Sequence, residues 1–317
     1  MSHIILSGID KTGKSTLARE LSKKFYMPVV NRLKPEKDIF TECCNLLTES
    51  KEDFIVDRFH LDELAYGPVK RGNIRFDFRE YKIIEMLMLA QQTFNIYCYD
   101  EQIQLAKRFK ECNETFLKEE EIWQTLLYFE SALKDSMLEW HKYRIGDDIE
   151  QLMASIEKWN TQVITKDINK FKGYRTIGNL EGSVLFIGEK YGDALELPLV
   201  PFGRNKPGLM FFKAIEESSL DWKEVILTNA IKQNDRSLRG EFSASDKIAL
   251  EQELKLKRLK SVICLGNKAY DYAMELKPER FDMPKNLKIK KISHPAYAFA
   301  YNDWSIEKYA EEINKCL

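Results

Sequence analysis

The chain has 317 residues, 44% hydrophobic and 31% charged, a balance that excludes disorder and collagen-like repeats and supplies apolar material for two domain cores. Its 49 basic residues face 50 acidic ones, so net charge makes no global case for nucleic acid and leaves only local basic surfaces. Six Cys without CxxC spacing read as reduced thiols of a cytoplasmic protein, and the longest apolar runs are strand-sized, too short to span a membrane.

In chain order, short apolar runs predict strands at His3 to Leu6, Pro28 to Val30, Phe54 to Val56 and Phe94 to Tyr99, with helices over Ser15 to Phe25 and Arg79 to Gln92. From Lys118 to Tyr143, Ile122, Leu126, Phe129 and Leu133 recur on one helical face. Tyr143 to Ile145 reads as a last strand, and Asp147 as the cap of a helix running to Trp159. This βαβα rhythm predicts a parallel sheet flanked by helices over residues 1–160. Residues 161–182 are polar and weakly periodic, as in a linker.

A second α/β rhythm fills residues 183–317. Strands are expected at Val184 to Ile187, Val225 to Leu227, Ser261 to Leu265 and Leu287 to Ile292. Helices are expected over Gly208 to Ser218, over Ser245 to Arg258 and after Gly266. The fold class is therefore α/β, with two unrelated domains, each a mainly parallel sheet flanked by helices.

Residues 8–16, GIDKTGKST, fit GxxxxGK[ST] between a strand and a helix. Gly8 and Gly13 let the backbone turn its N–H groups inward, and the helix start adds a positive end, so Gly8, Lys11, Thr12, Gly13, Lys14, Ser15 and Thr16 form an expected ATP site. Lys14 suits the β and γ phosphates and Ser15 a Mg²⁺ ion. Asp57, ending the apolar run at Val56, suits the same ion, and Arg58 a phosphate held bidentately.

GIDKTGKST together with DRFHLDELAY (57–66) resembles thymidylate kinase over roughly residues 1–160. The resemblance implies a P-loop kinase in which Asp10 contacts the nucleotide sugar, Arg58 the acceptor phosphate, and Arg108 is the first Arg of a lid. Arg32, Tyr66 and Arg71 would join the substrate site. Asp62 and Glu63 replace two family Ser, and Gly67 replaces a Gln. Their negative charge disfavours a free monophosphate unless they face away, which keeps a nucleoside, a modified nucleotide and a base within DNA open as acceptors.

VLFIGEKYG (184–192), PFGRN (201–205), VILTNAIK (225–232), VICLG (262–266) and ISHPAYAFA (292–300) resemble, in that order, the uracil-DNA glycosylase superfamily, nearest its family 4. The resemblance implies base flipping, with Phe202 stacking on the base, Asn229 reading its edge and His294 stabilising charge on the pyrimidine. Gln233 stands where family 4 has a cluster Cys, so no iron-sulfur cluster is expected. Lys190 replaces the expected water-activating Asp or Asn, with Glu189 or Asp193 as substitutes. The alternation of Tyr297, Phe299 and Tyr301 reads as a strand or loop edge used for packing, and the basic clusters Lys255 to Lys260 and Lys285 to Lys291 as solvated faces that could hold DNA if they form one surface.

The expected function is ATP- and Mg²⁺-dependent phosphoryl transfer to a deoxynucleotide, a pyrimidine monophosphate being favoured, by a kinase joined to a base-recognising module. The alternatives are a kinase acting on a hydroxymethylpyrimidine in DNA, as viral DNA hypermodification uses, and a base-excising or DNA-binding protein with a regulatory P-loop. A homodimer and a virus-encoded protein working in host cytoplasm fit either kinase reading.

Overall fold

The alternating apolar runs build two five-stranded sheets in the computed structural model, which describes residues 3–31, 38–50, 52–112, 116–165, 176–189, 206–232, 242–276, 283–284 and 286–317. The chain divides into two compact units, Met1–Ile168 and Asn169–Leu317. Among the described residues no helix is long and apolar enough to cross a membrane.

The first unit runs β1 (Ile4–Ser7), α1 (Lys14–Phe25), β2 (Val29–Asn31), α2 (Ile39–Glu49), β3 (Ile55–Asp57), α3 (His60–Arg71), α4 (Phe78–Ala90), β4 (Phe94–Tyr99), α5 (Gln102–Glu111), α6 (Glu119–Asp135), β5 (Trp140–Arg144) and α7 (Ile149–Thr165). Its strands lie in the order β2-β3-β1-β4-β5, all parallel. Helices cover both faces, which is why β1 is buried throughout and apolar up to Ser7. Leu17 and Leu21 of α1 and Ile156 of α7 pack with Ile4 and Leu6, while Leu61 of α3, Phe109 of α5 and Phe129 of α6 pack with Tyr97. Strand β1 lies between β3 and β4, so the chain leaves it first to one side and later to the other. Open α/β sheets bind ligands at the carboxyl end of such a switch point.

The second unit runs β6 (Ile177–Gly178), β7 (Val184–Gly188), α8 (Lys206–Glu217), β8 (Val225–Asn229), α9 (Ala244–Leu254), β9 (Ser261–Leu265), α10 (Asn267–Glu275), β10 (Lys288–Ile292), α11 (Pro295–Ala300) and α12 (Ile306–Asn314). The order is β10-β9-β7-β8-β6, parallel except for β6, which pairs antiparallel with β8. The buried strands β7, β8 and β9 form its apolar centre.

Several expectations are corrected locally. The stretch expected to be a linker, 161–182, holds the end of α7 and the strand β6, which completes the second sheet. Asp148, not Asp147, caps α7: its Oδ1 accepts from the amides of Glu150 (2.9 Å) and Gln151 (3.3 Å), while Asp147 accepts from the Arg144 amide. The periodicity expected to run to Tyr143 ends at Asp135, and the last strand starts earlier, at Trp140. Tyr297 and Phe299 lie on the helix α11, with Tyr301 at its C-cap, because Pro295 presets the first helical φ and His294 caps the helix. Phe299 is buried, whereas Tyr297 is 58% exposed, so the packing role expected of all three holds for Phe299 alone.

Candidate functional site

The loop between β1 and α1 is built by its glycines. Gly8 has φ 143°, and a Cβ there would lie 2.0 Å from the Cys98 carbonyl oxygen of β4. Gly13, at φ 78°, starts α1. Thr12 Oγ1 donates to the Ile9 carbonyl at 2.6 Å, and Lys14 Nζ spans the loop to the Gly8 and Ile9 carbonyls, the latter at 2.8 Å. Lys14 is only 5% exposed, and Asp10 lies 4.0 Å from its ammonium. Thr16 donates its amide to the Gly13 carbonyl, opening the helix.

Parallel pairing sets Leu6 beside Asp57, bringing the ends of β1 and β3 level. Ser15 Oγ donates to Asp57 Oδ2 at 2.6 Å; Asp57 is 8% exposed and its Oδ1 has no hydrogen-bond partner. A hydroxyl beside a buried carboxylate with an open oxygen fits Mg²⁺, which takes one or two protein oxygens and completes its shell with water and phosphate. Among the described residues no group of three or more His, Cys, Asp or Glu is placed to hold a metal ion.

Arg58 adopts a left-handed φ of 77°, which turns its guanidinium onto the Asp10 carboxylate. The Asp10 amide donates to the Tyr66 hydroxyl at 2.8 Å. Burial opposes the Arg58 charge, but Asp10 and Asp62 outweigh it and hold the guanidinium above its usual pKa. Burial raises the Tyr66 phenol far above the ordinary range, so its hydroxyl stays neutral. Arg108, on α5, reaches the Lys11 carbonyl at 3.0 Å and pairs with Asp100 at 2.6 Å.

Beside the loop lies an open cleft lined by α3 and the segment leading to α4. Arg58, Tyr66 and Arg71 line it, joined by Lys70 and Arg75, which sequence reasoning missed although RGNIRF (71–76) is visibly basic. Phe59 and Phe116 give it apolar wall. Glu63 accepts from the Arg75 amide and guanidinium, each at 3.0 Å, and from Arg71, so its charge is compensated. Gly67 is structural, since a Cβ there would lie 2.7 Å from the Asn73 carbonyl oxygen of the returning chain. Asp62 is 7% exposed; burial pushes its carboxyl up to about 6 against the pull of Lys14 and Arg58.

In the second unit, Glu189, Asn229, Gly266 and His294 stand at the carboxyl ends of β7, β8, β9 and β10. Gly188 pairs with Asn229 across β7 and β8. Asn229 is 1% exposed, and its Nδ2 has no hydrogen-bond partner, leaving a buried donor available to an acceptor on a ligand. His294 Nδ1 accepts from the Ala296 amide at 3.2 Å, so a neutral ring carries its proton on Nε2. Burial lowers the His294 pKa, opposed by Glu189. Glu189 itself pairs with Lys268 at 2.9 Å. Lys232, the last residue of VILTNAIK, is buried, and its Nζ donates to both Glu253 oxygens at 2.7 Å, with Thr176 and Thr228 also bonded to Glu253. Arg32, Lys190, Asp193 and Phe202 lie outside the described residues.

The Uracil DNA glycosylase superfamily profile matches residues 176–317. Over the N-terminal half, solved structures are similar. The YorR protein of Bacillus subtilis in complex with phosphorylated GDP is 21% identical, with a TM-score of 0.44, covering 51% of this chain and 97% of that one. Deoxyadenosine kinase from M. mycoides with dCMP and dCDP is 17% identical, with a TM-score of 0.34, covering 51% and 99%. A gluconokinase from Sinorhizobium meliloti is 11% identical, with a TM-score of 0.35, covering 51% and 93%. No curated protein matches.

Proposed function

We propose, on the premise that residues 176–317 are a uracil DNA glycosylase superfamily domain, that the chain is an ATP-dependent kinase acting on a deoxynucleotide, with that domain recognising a base. The observation that carries the kinase reading is the buried pair Lys14 and Asp57, with Ser15 hydrogen-bonded to Asp57, at the Gly8–Gly13 turn beside a cleft rich in Arg. Transfer of a phosphoryl group needs positioning and charge neutralisation more than covalent chemistry, and this set offers both.

Lys14 and the loop N–H groups would bind the outer phosphates, and Ser15 with Asp57 would hold Mg²⁺. Bound there, the ion would offset charge on the phosphates. Arg108, anchored on the Lys11 carbonyl, lies beside the same loop and can follow the transferring group. Asp10 orients the acceptor sugar through its ties to Arg58 and Tyr66, while Arg58 and Arg71 attract acceptor phosphate from the cleft. Asn229 supplies a donor, and the Nε2–H of neutral His294 a second, for carbonyl oxygens of a pyrimidine. A base-recognising domain on the same chain favours a pyrimidine acceptor and supports a second reading in which that nucleotide lies in DNA.

The test supplies γ-labelled ATP, Mg²⁺ and a panel of pyrimidine nucleosides, monophosphates and normal or hydroxymethylated DNA. Label on a free or polymeric deoxynucleotide supports the kinase reading, and its distribution between the two chooses the acceptor form. Label released only as inorganic phosphate contradicts it.

A further inference from the structure

Four carboxylates around the loop and cleft already have partners. Asp10 meets Arg58, Asp57 meets Ser15, Glu63 meets Arg71 and Arg75, and Asp100 meets Arg108. Asp62 differs. Its Oδ2 accepts the Phe59 amide at 3.2 Å, but its Oδ1 is buried without a hydrogen-bond partner, and the buried Ser7 hydroxyl of β1 sits near it without a well-formed bond. Lys14 of α1 and Arg58 face this carboxylate as cations, while Tyr66 of α3 and Tyr97 and Cys98 of β4 face it as neutral groups. It lines the cleft beside the phosphate loop.

A carboxylate in that place repels an acceptor phosphate, which needs no base because it attacks as an anion already. An alcohol must lose a proton to become a competent nucleophile, and a positioned carboxylate takes it. We infer that Asp62 is the general base of a transfer whose acceptor is a hydroxyl group on a nucleotide, free or in DNA. The inference rests on the kinase reading above and narrows its acceptor from phosphate to alcohol. A lone pair of the acceptor oxygen forms the new bond to the γ-phosphorus, and the bond from that phosphorus to the bridging oxygen breaks, releasing ADP. The hydroxyl proton passes to the Asp62 carboxylate and then to solvent. Burial sets the Asp62 carboxyl near 6, low enough to be ionised at neutral pH and high enough to hold a proton briefly.

The experiment uses the full chain with γ-labelled ATP, Mg²⁺, hydroxymethylpyrimidine DNA, pyrimidine nucleosides and the corresponding monophosphates. The expected product is a phosphate monoester on carbon-bound oxygen. Asp62→Asn should lower kcat at least about 100-fold while KM for ATP stays unchanged, and Asp62→Glu should recover part of the loss. The wild-type kcat should fall as pH drops through about 6, a limb missing from whatever activity Asp62→Asn retains. Should that variant fail to fold, the wild-type profile and the product's linkage still decide. Label in a phosphoanhydride, an unchanged kcat in Asp62→Asn, or a flat wild-type profile across that range overturns the inference. If Lys14→Ala abolishes transfer while Asp62→Asn keeps it, only the role of Asp62 falls; if both keep it, the kinase reading falls too.

Discussion

Ser15 and Asp57, 42 residues apart, are joined by a 2.6 Å hydrogen bond at the adjoining ends of α1 and β3. The contact requires the parallel pairing of β1 with β3, so one sheet register assembles both the loop helix and its acidic partner. Asp57→Ala should weaken Mg²⁺-dependent ATP binding at least about tenfold and leave Mg²⁺-free binding little changed. Titration calorimetry with and without the ion checks this.

Gly8→Ala should destabilise the N-terminal unit and remove ATP binding together, because the added methyl would collide with the Cys98 backbone 2.0 Å away. A loss of at least about 1–3 kcal/mol is expected from strain at a left-handed position, read as a lowered midpoint in chemical denaturation. An equally stable variant that still binds ATP would show that the loop does not need this close approach.

Lys232→Met should cost about 3–5 kcal/mol, since it leaves the fully buried Glu253 without its cation. Burial also lowers the Lys232 pKa, with Glu253 opposing. A folded-state pKa below the unfolded one means that folding favours the neutral amine. That contribution is present above the unfolded pKa and is lost as pH falls through the folded value, so stability from this group should decline on acidification across the alkaline range. Denaturation midpoints measured at a series of alkaline pH values check the sign.

His294 offers a milder pH test. Burial depresses its pKa below the ordinary imidazole value, so the neutral ring that caps α11 is favoured in the fold at neutral pH. As pH falls through the depressed value, protonation removes the Nδ1 acceptor, and the cap and its share of stability go with it. NMR titration of the ring should show a midpoint below about 6.5, with the Ala296 amide shifting in step.

Much of this was legible in the sequence because it depends on local chemistry. GIDKTGKST fixes a turn whose glycines have backbone requirements, and the buried runs of β1 and β7 through β9 leave few alternatives to a parallel sheet. The helix α3 was harder to see, since Gly67 and Pro68 interrupt its pattern and burial of Leu61, Ala65 and Tyr66 holds it in place. Whether Asp62 and Glu63 repel an acceptor could not be decided from spacing. The answer lies in Arg75, twelve residues beyond Glu63, folding back to neutralise Glu63 while Asp62 keeps an open oxygen. The Lys232–Glu253 pair was invisible for the same reason, as its partners come from different elements.

The most direct test of the central claim compares two labels. Full-length protein is given Mg²⁺, a pyrimidine deoxynucleotide or hydroxymethylated DNA, and ATP labelled at either the α or the γ phosphorus. Only the γ label should move to the acceptor, and Lys14→Ala should slow that movement at least about 100-fold. Transfer of neither label to any acceptor, or equal transfer by Lys14→Ala, would contradict the account.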